Sequence, residues 1–155
     1  MDLINNLSMK PSELYTIGYE GREIEEFVAC LKSHKIGRLI DVREIPISRK
    51  KGFSKSSLKI RFESEHIEYV HLRSLGSPST IRHKLKSDHD YDYFFNAYLR
   101  YLSQNHNAVV EAYRYIQDGM NCLMCFERNP EKCHRTAAAQ KISEYAGNGL
   151  KIFHI

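Results

Sequence analysis

The sequence predicts an α/β domain with a mostly parallel sheet and helices on both faces. Short apolar segments alternate with segments whose apolar residues recur at helical spacing, in the order βαβ, αβ, αα, β, α, β. The segment 120–126 is mostly apolar and short, as a central strand of a parallel sheet should be. In such a sheet ligands bind at the carboxyl ends of the strands, so the residues after each strand are the candidates for a site.

Length and composition fit one domain in the cytoplasm. The 155 residues are enough for a hydrophobic core, and we expect a flexible leader over residues 1–12 and a single domain over residues 13–155. We expect no signal peptide and no membrane span. The four cysteines are too few for a disulfide scaffold, which favours a reduced, cytoplasmic location. The formal net charge of +4 is compatible with a phosphate-bearing partner.

The first third of the chain predicts a right-handed βαβ unit. Residues 13–18 predict a strand that ends in a turn with two glycines. An amphipathic helix is predicted over about residues 22–34, ended by Gly37, and a second strand over residues 38–43. The apolar residues at helical spacing are Ile24, Phe27, Val28 and Leu31.

A basic loop and a less regular stretch follow. The loop covers residues 45–57 and runs into a helix over residues 54–64, with Ser54 as its cap. The residues of this helix that we expect to be partly buried are Leu58, Ile60 and Phe62. Residues 67–72 alternate as a third strand does, whereas residues 79–89 are polar and predict a mobile excursion.

The last part of the chain predicts two helices, a strand, a helix and a strand. These elements cover residues 91–103, 108–117, 120–126, 136–146 and 150–155, in that order. Between the fourth strand and the last helix, Asn129 supplies a cap residue and Pro130 a proline at the first helical position.

If the strands are parallel, polar residues from four strand ends and one loop meet at one edge of the sheet. Some have side chains suited to proton transfer or nucleophilic attack, and we assign as candidate catalytic residues Asp41, Glu127, Cys133 and His134. The others are suited to holding a ligand, and we assign as candidate binding residues Gly18, Tyr19, Arg43, Ser48, Arg49, Phe53, His71 and Arg135.

Three of these assignments have an alternative. Asp41 and Arg43 belong either to the site or to a salt bridge at a strand end, since an unpaired aspartate between apolar residues is costly to bury. Glu127 is a solvated strand terminus, a general base, or the partner that orients His134 or an arginine. His71 is either a binding residue or a hydrogen-bonded residue of the core.

Cys133 is the thiol with the strongest case for chemistry. It lies near a helix N-terminus among basic residues, and both features lower the pKa of a thiol and favour a nucleophilic role. One alternative is that Cys133 packs under the loop while His134 and Arg135 bind an anion at the helix end. The other is a metal site of Cys133 and His134 with Glu127 or His71, which no zinc-type spacing supports. Cys122 and Cys125 have metal or redox spacing, but residues three apart in a strand point to opposite faces. We therefore assign no metal and no cofactor.

Two stretches offer contacts to nucleic acid. Residues 49–55 carry four positive charges, a phenylalanine and a glycine, a composition suited to binding phosphates, with a solvated loop as the alternative. The aromatic side chains of residues 91–101 are suited to stacking on bases, but at helical spacing core packing is favoured.

Four blocks of the sequence resemble the DUF488 family of uncharacterised bacterial and archaeal proteins. The blocks are Thr16-Ile17-Gly18-Tyr19; Leu39-Ile40-Asp41-Val42-Arg43 with Pro46, Ser48, Arg49 and Phe53; Tyr69-Val70-His71 with Leu75-Gly76; and Cys125-x-Glu127 with Pro130-x-x-Cys133-His134-Arg135. The chain departs from the family pattern at Tyr19, where many members have histidine, and at Ser77, where a second glycine is common. The resemblance covers about residues 13–155 and implies a compact α/β domain with a pocket lined by these blocks, but no established reaction.

Three functions remain open at this point. We favour an enzyme, a hydrolase or transferase, that acts on a phosphate-bearing nucleotide or nucleic-acid substrate, because a binding module seldom needs two carboxylates, a thiol and a histidine together. The second is a nucleic-acid or nucleotide binding module without turnover, and the third is rhodanese-like sulfur or phosphoryl transfer. The expected partner is a phosphate-bearing small molecule or a nucleic acid, not a membrane. The sequence does not determine the oligomeric state.

Overall fold

Five parallel strands form one sheet in the computed structural model, which describes residues 11–155. The strands are β1 Glu13–Gly18, β2 Arg38–Asp41, β3 Glu68–His71, β4 Asn121–Cys125 and β5 Lys151–His154. They lie in the order β3-β2-β4-β1-β5, and each neighbouring pair is parallel. The predicted α/β class with a parallel sheet is confirmed. Most of the predicted leader, residues 1–10, lies outside the described residues.

Six α-helices within residues 11–155 connect and cover the strands. They are α1 Ile24–Ser33, α2 Lys55–Ser64, α3 Ser79–Asp88, α4 Tyr91–Gln104, α5 His106–Tyr115 and α6 His134–Tyr145. Helices α1 and α2 contribute apolar residues to the core on one face of the sheet, and α4, α5 and α6 to the core on the other. The sheet is therefore covered by helices on both faces, as βαβ connections require.

Strand β4 is the middle of the sheet, between β2 and β1. All five of its residues are buried, which explains why the segment is so apolar. Cys122 belongs to the core on the α1 and α2 face, whereas Cys125 belongs to the core on the other face. The prediction that these two thiols point to opposite sides is confirmed.

The prediction of a mobile excursion over residues 79–89 is wrong, because Ser79–Asp88 form helix α3. No residue of this helix is buried, so its sequence lacks the apolar stripe from which a helix is usually recognised. It packs against α4, and an ion pair joins Lys84 to Asp88 one turn apart. A left-handed residue, His89, ends it at φ 52°.

Two smaller predictions also need correction. Ile60 is exposed, because the inward face of α2 carries Leu58 and Phe62, and Ile60 lies midway between them on the opposite side. Asn129 accepts a hydrogen bond from the Glu131 amide at 2.9 Å, but this caps only a short 3-10 turn, Pro130–Lys132. The long helix starts later, with Cys133 as its N-cap residue.

Gly18, at the end of β1, allows the chain that leaves β4 to pass very close. A Cβ atom at this position would lie 1.9 Å from the Glu127 carbonyl oxygen, which is backbone and cannot rotate away. At Gly149, by contrast, an added Cβ meets no atom within 4 Å. The end of β1 and the segment after β4 are therefore in contact only because residue 18 has no side chain.

We predict that Gly18→Ala lowers the free energy of unfolding by about 1–3 kcal/mol or more, the range for overpacking a filled site. The matched change Gly149→Ala should leave the free energy of unfolding unchanged or raise it by up to about 1 kcal/mol, because alanine lowers the conformational entropy of the unfolded chain. Urea denaturation followed by circular dichroism measures both. Equal, small effects of the two substitutions would contradict the close contact.

Candidate functional site

A cleft of about 360 Å³ opens at the carboxyl ends of β1, β2 and β4. Four side chains that the sequence predicts for the site line it: Tyr19, Arg43, Glu127 and His134. The remaining walls come from the segment after β2, from α3 and its preceding turn, and from three further residues. These are Glu44, Ile45, Ile47, Ser77, Arg82, Leu85, Lys86, Phe94, Cys125 and Phe126.

Asp41 and Arg43 form a buried ion pair beside this cleft. The Arg43 Nε donates to Asp41 Oδ1 at 2.9 Å and the Nη2 to Oδ2 at 2.7 Å, and the Arg43 amide donates to Oδ1 at 3.1 Å. The Tyr69 hydroxyl donates to Oδ2 at 2.5 Å. Burial disfavours the charge on Arg43, but the hydrogen bonds and charge of Asp41 outweigh it and raise the pKa of Arg43.

Tyr19 extends this pair toward the mouth of the cleft. Its hydroxyl accepts from Arg43 Nη1 at 3.1 Å, and its ring stacks on Phe53 with centroids 4.5 Å apart. Phe126 meets the same ring edge-on at 5.3 Å. Phe53 is fully buried, so its place is beneath Tyr19 rather than on the cleft wall.

Three further groups meet at the base of the cleft: Cys125 and His134, which line it, and Cys133, which lies behind them. One ligand atom from each lies within 4.8 Å of the others, and all three residues are buried. The His134 Nε2 lies 2.7 Å from the Val42 carbonyl oxygen, which only accepts, so Nε2 carries a proton. The other ring nitrogen, Nδ1, faces the Cys125 Sγ at 3.7 Å.

Glu127 lies over this cluster. Its Oε2 is 3.6 Å from the Cys125 Sγ, and its side chain is half-buried in the cleft wall. The Glu127 backbone is held from behind by Arg135, whose Nη1 donates to the Glu127 carbonyl. A carboxylate, a thiol and an imidazole thus lie together in the lining of the cleft.

Cys133 differs from its prediction in one respect. The sequence predicts a lowered thiol pKa, but burial raises the pKa of Cys133 well above its ordinary value, and a hydrogen bond with Cys125 adds to the effect. The side chain is 1% exposed and does not line the cleft, whereas Cys125 does. The predicted lowering is therefore wrong, because tertiary burial outweighs the helix end and its basic neighbours.

Arg135 is fully buried and donates to three protein oxygens. Besides the Glu127 carbonyl, it reaches Thr16 Oγ1 at 3.1 Å from Nε and the Arg128 carbonyl at 3.3 Å from Nη2. It does not line the cleft. Its observed contacts hold the segment after β4 against β1, so it positions Glu127.

The remaining predicted residues lie around the cleft rather than in it. His71 donates from Nε2 to the Arg43 carbonyl at 2.8 Å and borders a separate groove. Ser48 is joined to Ser54, whose hydroxyl donates to the Ser48 carbonyl at 3.2 Å and accepts from its amide at 3.0 Å. Arg49 is exposed on the same loop, and Gly18 lies under the Glu127 backbone.

Sequence reasoning missed the wall built by α3. Arg82, Leu85 and Lys86 line the cleft from this helix, and Arg82 lies 3.5 Å from Glu44 in an ion pair. Burial raises the pKa of Glu44, but hydrogen bonds from Ser79 and the charge of Arg82 outweigh it and lower that pKa. The i, i+3, i+4 spacing of the three wall residues was the available signal for one helical face.

The fold and these contacts define an α/β domain with a cleft at the strand ends that both polar and apolar side chains line. The chain belongs to the family described as a domain of unknown function, DUF488, whose profile matches residues 23–142. No curated protein and no solved structure matches the chain. Across residues 11–155, none of the helices has the length and apolar character needed to cross a membrane.

We predict that Asp41→Asn lowers the free energy of unfolding by about 3–5 kcal/mol, because it leaves the Arg43 charge buried without a counter-charge. Asp118→Asn is the matched control: Asp118 pairs with Arg38 at 3.2 Å but is 80% exposed, so its loss should cost about 0–1 kcal/mol. Urea denaturation of both variants tests the difference. A loss at position 41 no larger than at position 118 would contradict it.

Proposed function

We propose that the chain is an enzyme that acts on a phosphate-bearing nucleotide or nucleic-acid substrate in the strand-end cleft. The observation that carries the proposal is the placement of Glu127 in the cleft wall, 3.6 Å from the Cys125 thiol, which itself lies 3.7 Å from His134 Nδ1. Groups that exchange protons, held in contact at the base of a cleft, are typical of a catalytic site. Glu127 is the proposed proton-transfer group.

An apolar rim supports the choice of a ring-containing substrate. Phe126, Ile45 and Ile47 line the cleft and are 44%, 49% and 75% exposed, respectively. Large apolar side chains gathered at the mouth of a cleft mark a surface that a ligand covers. A nucleobase can stack on the Phe126 ring, which Tyr19 supports edge-on, and such stacking contributes about 1–3 kcal/mol per base.

Basic residues beside the rim support a phosphate-bearing substrate. Lys86 is exposed on the α3 wall and has no ion-pair partner among residues 11–155. Arg82 lies one turn earlier on the same wall. The loop after β2 adds Arg49 and Lys51, both exposed, within a chain whose formal net charge is +4. Exposed positive charges next to a base-sized cleft are suited to binding phosphates.

The interior of the cleft has unused hydrogen-bonding capacity. Ser77 borders the cleft, is 1% exposed, and its Oγ has no hydrogen-bond partner among the described residues. A buried hydroxyl without a partner is costly, so a ligand or a water that binds it gains that energy. The volume of about 360 Å³ falls within the range of about 300–1,000 Å³ usual for small-molecule sites.

Two other functions have weaker support. A binding module needs the basic and apolar surfaces, but it does not need a carboxylate near a thiol and an imidazole, and a carboxylate repels phosphate. Sulfur transfer needs a thiol that a second substrate can approach, whereas Cys125 and Cys133 are 5% and 1% exposed. We therefore place the reaction at Glu127 rather than at a free thiol.

We predict that Glu127→Gln lowers turnover by about 10²-fold or more, because the amide keeps the shape but loses the ability to take a proton. Substrate binding should change much less than turnover. The assay is a panel of nucleosides, nucleotides and short oligonucleotides, read by mass spectrometry of the products. Glu131→Gln, at an exposed position on the same segment, is the control and should be silent.

The panel also separates the enzyme from the binding module. Turnover by the wild type that survives Glu127→Gln would remove Glu127 from the chemistry. Tight binding of an oligonucleotide or nucleotide with no product from any member of the panel would favour the binding module over the enzyme.

We predict that Lys86→Ala weakens binding of a nucleotide or oligonucleotide and reduces the slope of log K against log salt by about one, since one phosphate contact is lost. Lys59→Ala removes an exposed lysine from α2, which contributes to the opposite face of the sheet, and should change neither quantity. Fluorescence anisotropy at several salt concentrations measures both. Identical slopes for the two variants would contradict a phosphate position at the α3 wall.

A further inference from the structure

The cluster at the floor of the cleft has the composition of a metal site. We propose that Cys125 Sγ, Cys133 Sγ and His134 Nδ1 bind one Zn²⁺ ion, with a fourth position open toward the cleft. The three atoms lie within 4.8 Å of one another, and the residues are buried together although they come from a strand end and a helix start. Two thiolates and an imidazole are donors that zinc prefers, whereas magnesium and calcium prefer oxygen.

The orientation of His134 supports this assignment independently of the distances. Its Nε2 donates to the Val42 carbonyl at 2.7 Å, so in the neutral ring the lone pair is on Nδ1 and points toward the thiols. A histidine that binds a metal almost always donates its other ring N–H to a carbonyl or carboxylate in this way. The Arg43 amide, which belongs to the same peptide group as the Val42 carbonyl, donates to Asp41 Oδ1 at 3.1 Å and so fixes the peptide that orients the ring.

The distances are close to those of a tetrahedral site. Zinc bonds of about 2.3 Å to sulfur and 2.0–2.1 Å to nitrogen place S and N about 3.6 Å apart, and two sulfurs about 3.8 Å apart. The Cys125 Sγ and His134 Nδ1 are 3.7 Å apart, and no pair exceeds 4.8 Å. A contraction of about 1.2 Å or less therefore forms the site, and two thiol protons are released as the ion binds.

The open position is what makes the site suited to catalysis. Three protein ligands and a fourth position for water or substrate are typical of catalytic zinc, whereas structural sites use four protein ligands. Cys125 and His134 line the cleft while Cys133 lies behind them, so the fourth position faces the cleft. The Glu127 carboxylate is beside it, with its Oε2 3.6 Å from the Cys125 Sγ.

The catalytic use of the ion rests on the proposed function, and it specifies hydrolysis. Glu127 takes a proton from a zinc-bound water. The hydroxide forms a bond to the electrophilic carbon or phosphorus of the substrate, the bond to the leaving group breaks, and Glu127 returns the proton to the leaving group. Nucleobase deaminases use the same combination of a cysteine- and histidine-bound zinc with a glutamate that is not a ligand. Amino-bearing bases therefore belong in the substrate panel.

The test is metal binding by the purified full-length chain, kept reduced, stripped with a chelator and reloaded. We expect one Zn²⁺ per chain by elemental analysis. Titration with Co²⁺ should give the visible bands of a tetrahedral site and a near-ultraviolet charge-transfer band with the intensity of two thiolates. Substoichiometric uptake, or a Co²⁺ spectrum without the thiolate band, would overturn the site. Because these measurements use the wild type, they do not depend on any variant folding.

Substitutions identify the ligands. Cys125→Ser and Cys133→Ser should each weaken Zn²⁺ affinity by more than about 100-fold. Loss of a residue that only hydrogen-bonds to a metal ligand already weakens metal affinity by up to about 100-fold, and loss of the ligand itself should cost more. Cys122→Ala is the matched control, since Cys122 is as buried and lies on the same strand but faces the opposite core. Full metal retention by both serine variants, or equal loss in the control, would overturn the assignment. So would a Cys125–Cys133 disulfide, seen by mass spectrometry, that re-forms in preference to zinc uptake.

Turnover measurements distinguish a failure of the proposed metal site from a failure of the proposed enzyme. A chain that binds one Zn²⁺ through both thiols but converts no member of the panel supports the metal site and overturns the proposed enzyme. Equal turnover by the metal-free and zinc-loaded chains supports the enzyme and overturns the catalytic use of zinc.

Discussion

The buried pair of Asp41 and Arg43 is the interaction on which the rest of the site depends. It lies at the end of β2, and four partners connect to these residues or to Val42 between them. Tyr69 of β3 donates to the Asp41 carboxylate, and Tyr19, after β1, accepts from the Arg43 guanidinium. The carbonyls of Arg43 and Val42 accept from His71 and His134, respectively. Both charges are buried, so breaking the pair leaves one of them uncompensated, and the arrangement has little freedom to move.

A second set of contacts fixes the position of the Glu127 backbone relative to Cys125 and His134. The segment after β4 crosses the end of β1 at Gly18, where no side chain separates the two backbones. Arg135 reaches across from α6 and donates to the carbonyls of Glu127 and Arg128 and to Thr16. Arg135 therefore sets where the Glu127 carboxylate lies relative to Cys125 and His134.

The sequence predicted the fold and the edge of the sheet better than the site itself. Strands could be predicted because parallel strands are short and apolar, and parallel topology alone brings Tyr19, Arg43 and Glu127 to one edge. The wall from α3 was missed, because none of its residues is buried and the apolar stripe that usually marks a helix is missing. The pKa of Cys133 was predicted in the wrong direction because its neighbours in sequence are basic, whereas its neighbours in space are apolar. The contact between Cys125, at the end of β4, and His134 is a tertiary contact, so the sequence did not show that Cys125 lies at the cleft.

The central claim is that ligands bind in the strand-end cleft, and methyl NMR of the full-length chain tests it most directly. Titration with a nucleoside monophosphate should shift the methyl signals of Ile45, Ile47 and Leu85, which line the cleft. The methyl signals of Leu99, Leu102 and Val109, which line another cavity between α4, α5 and α6, should stay in place. Shifts confined to that second cavity, or none at saturating nucleotide, would contradict the account.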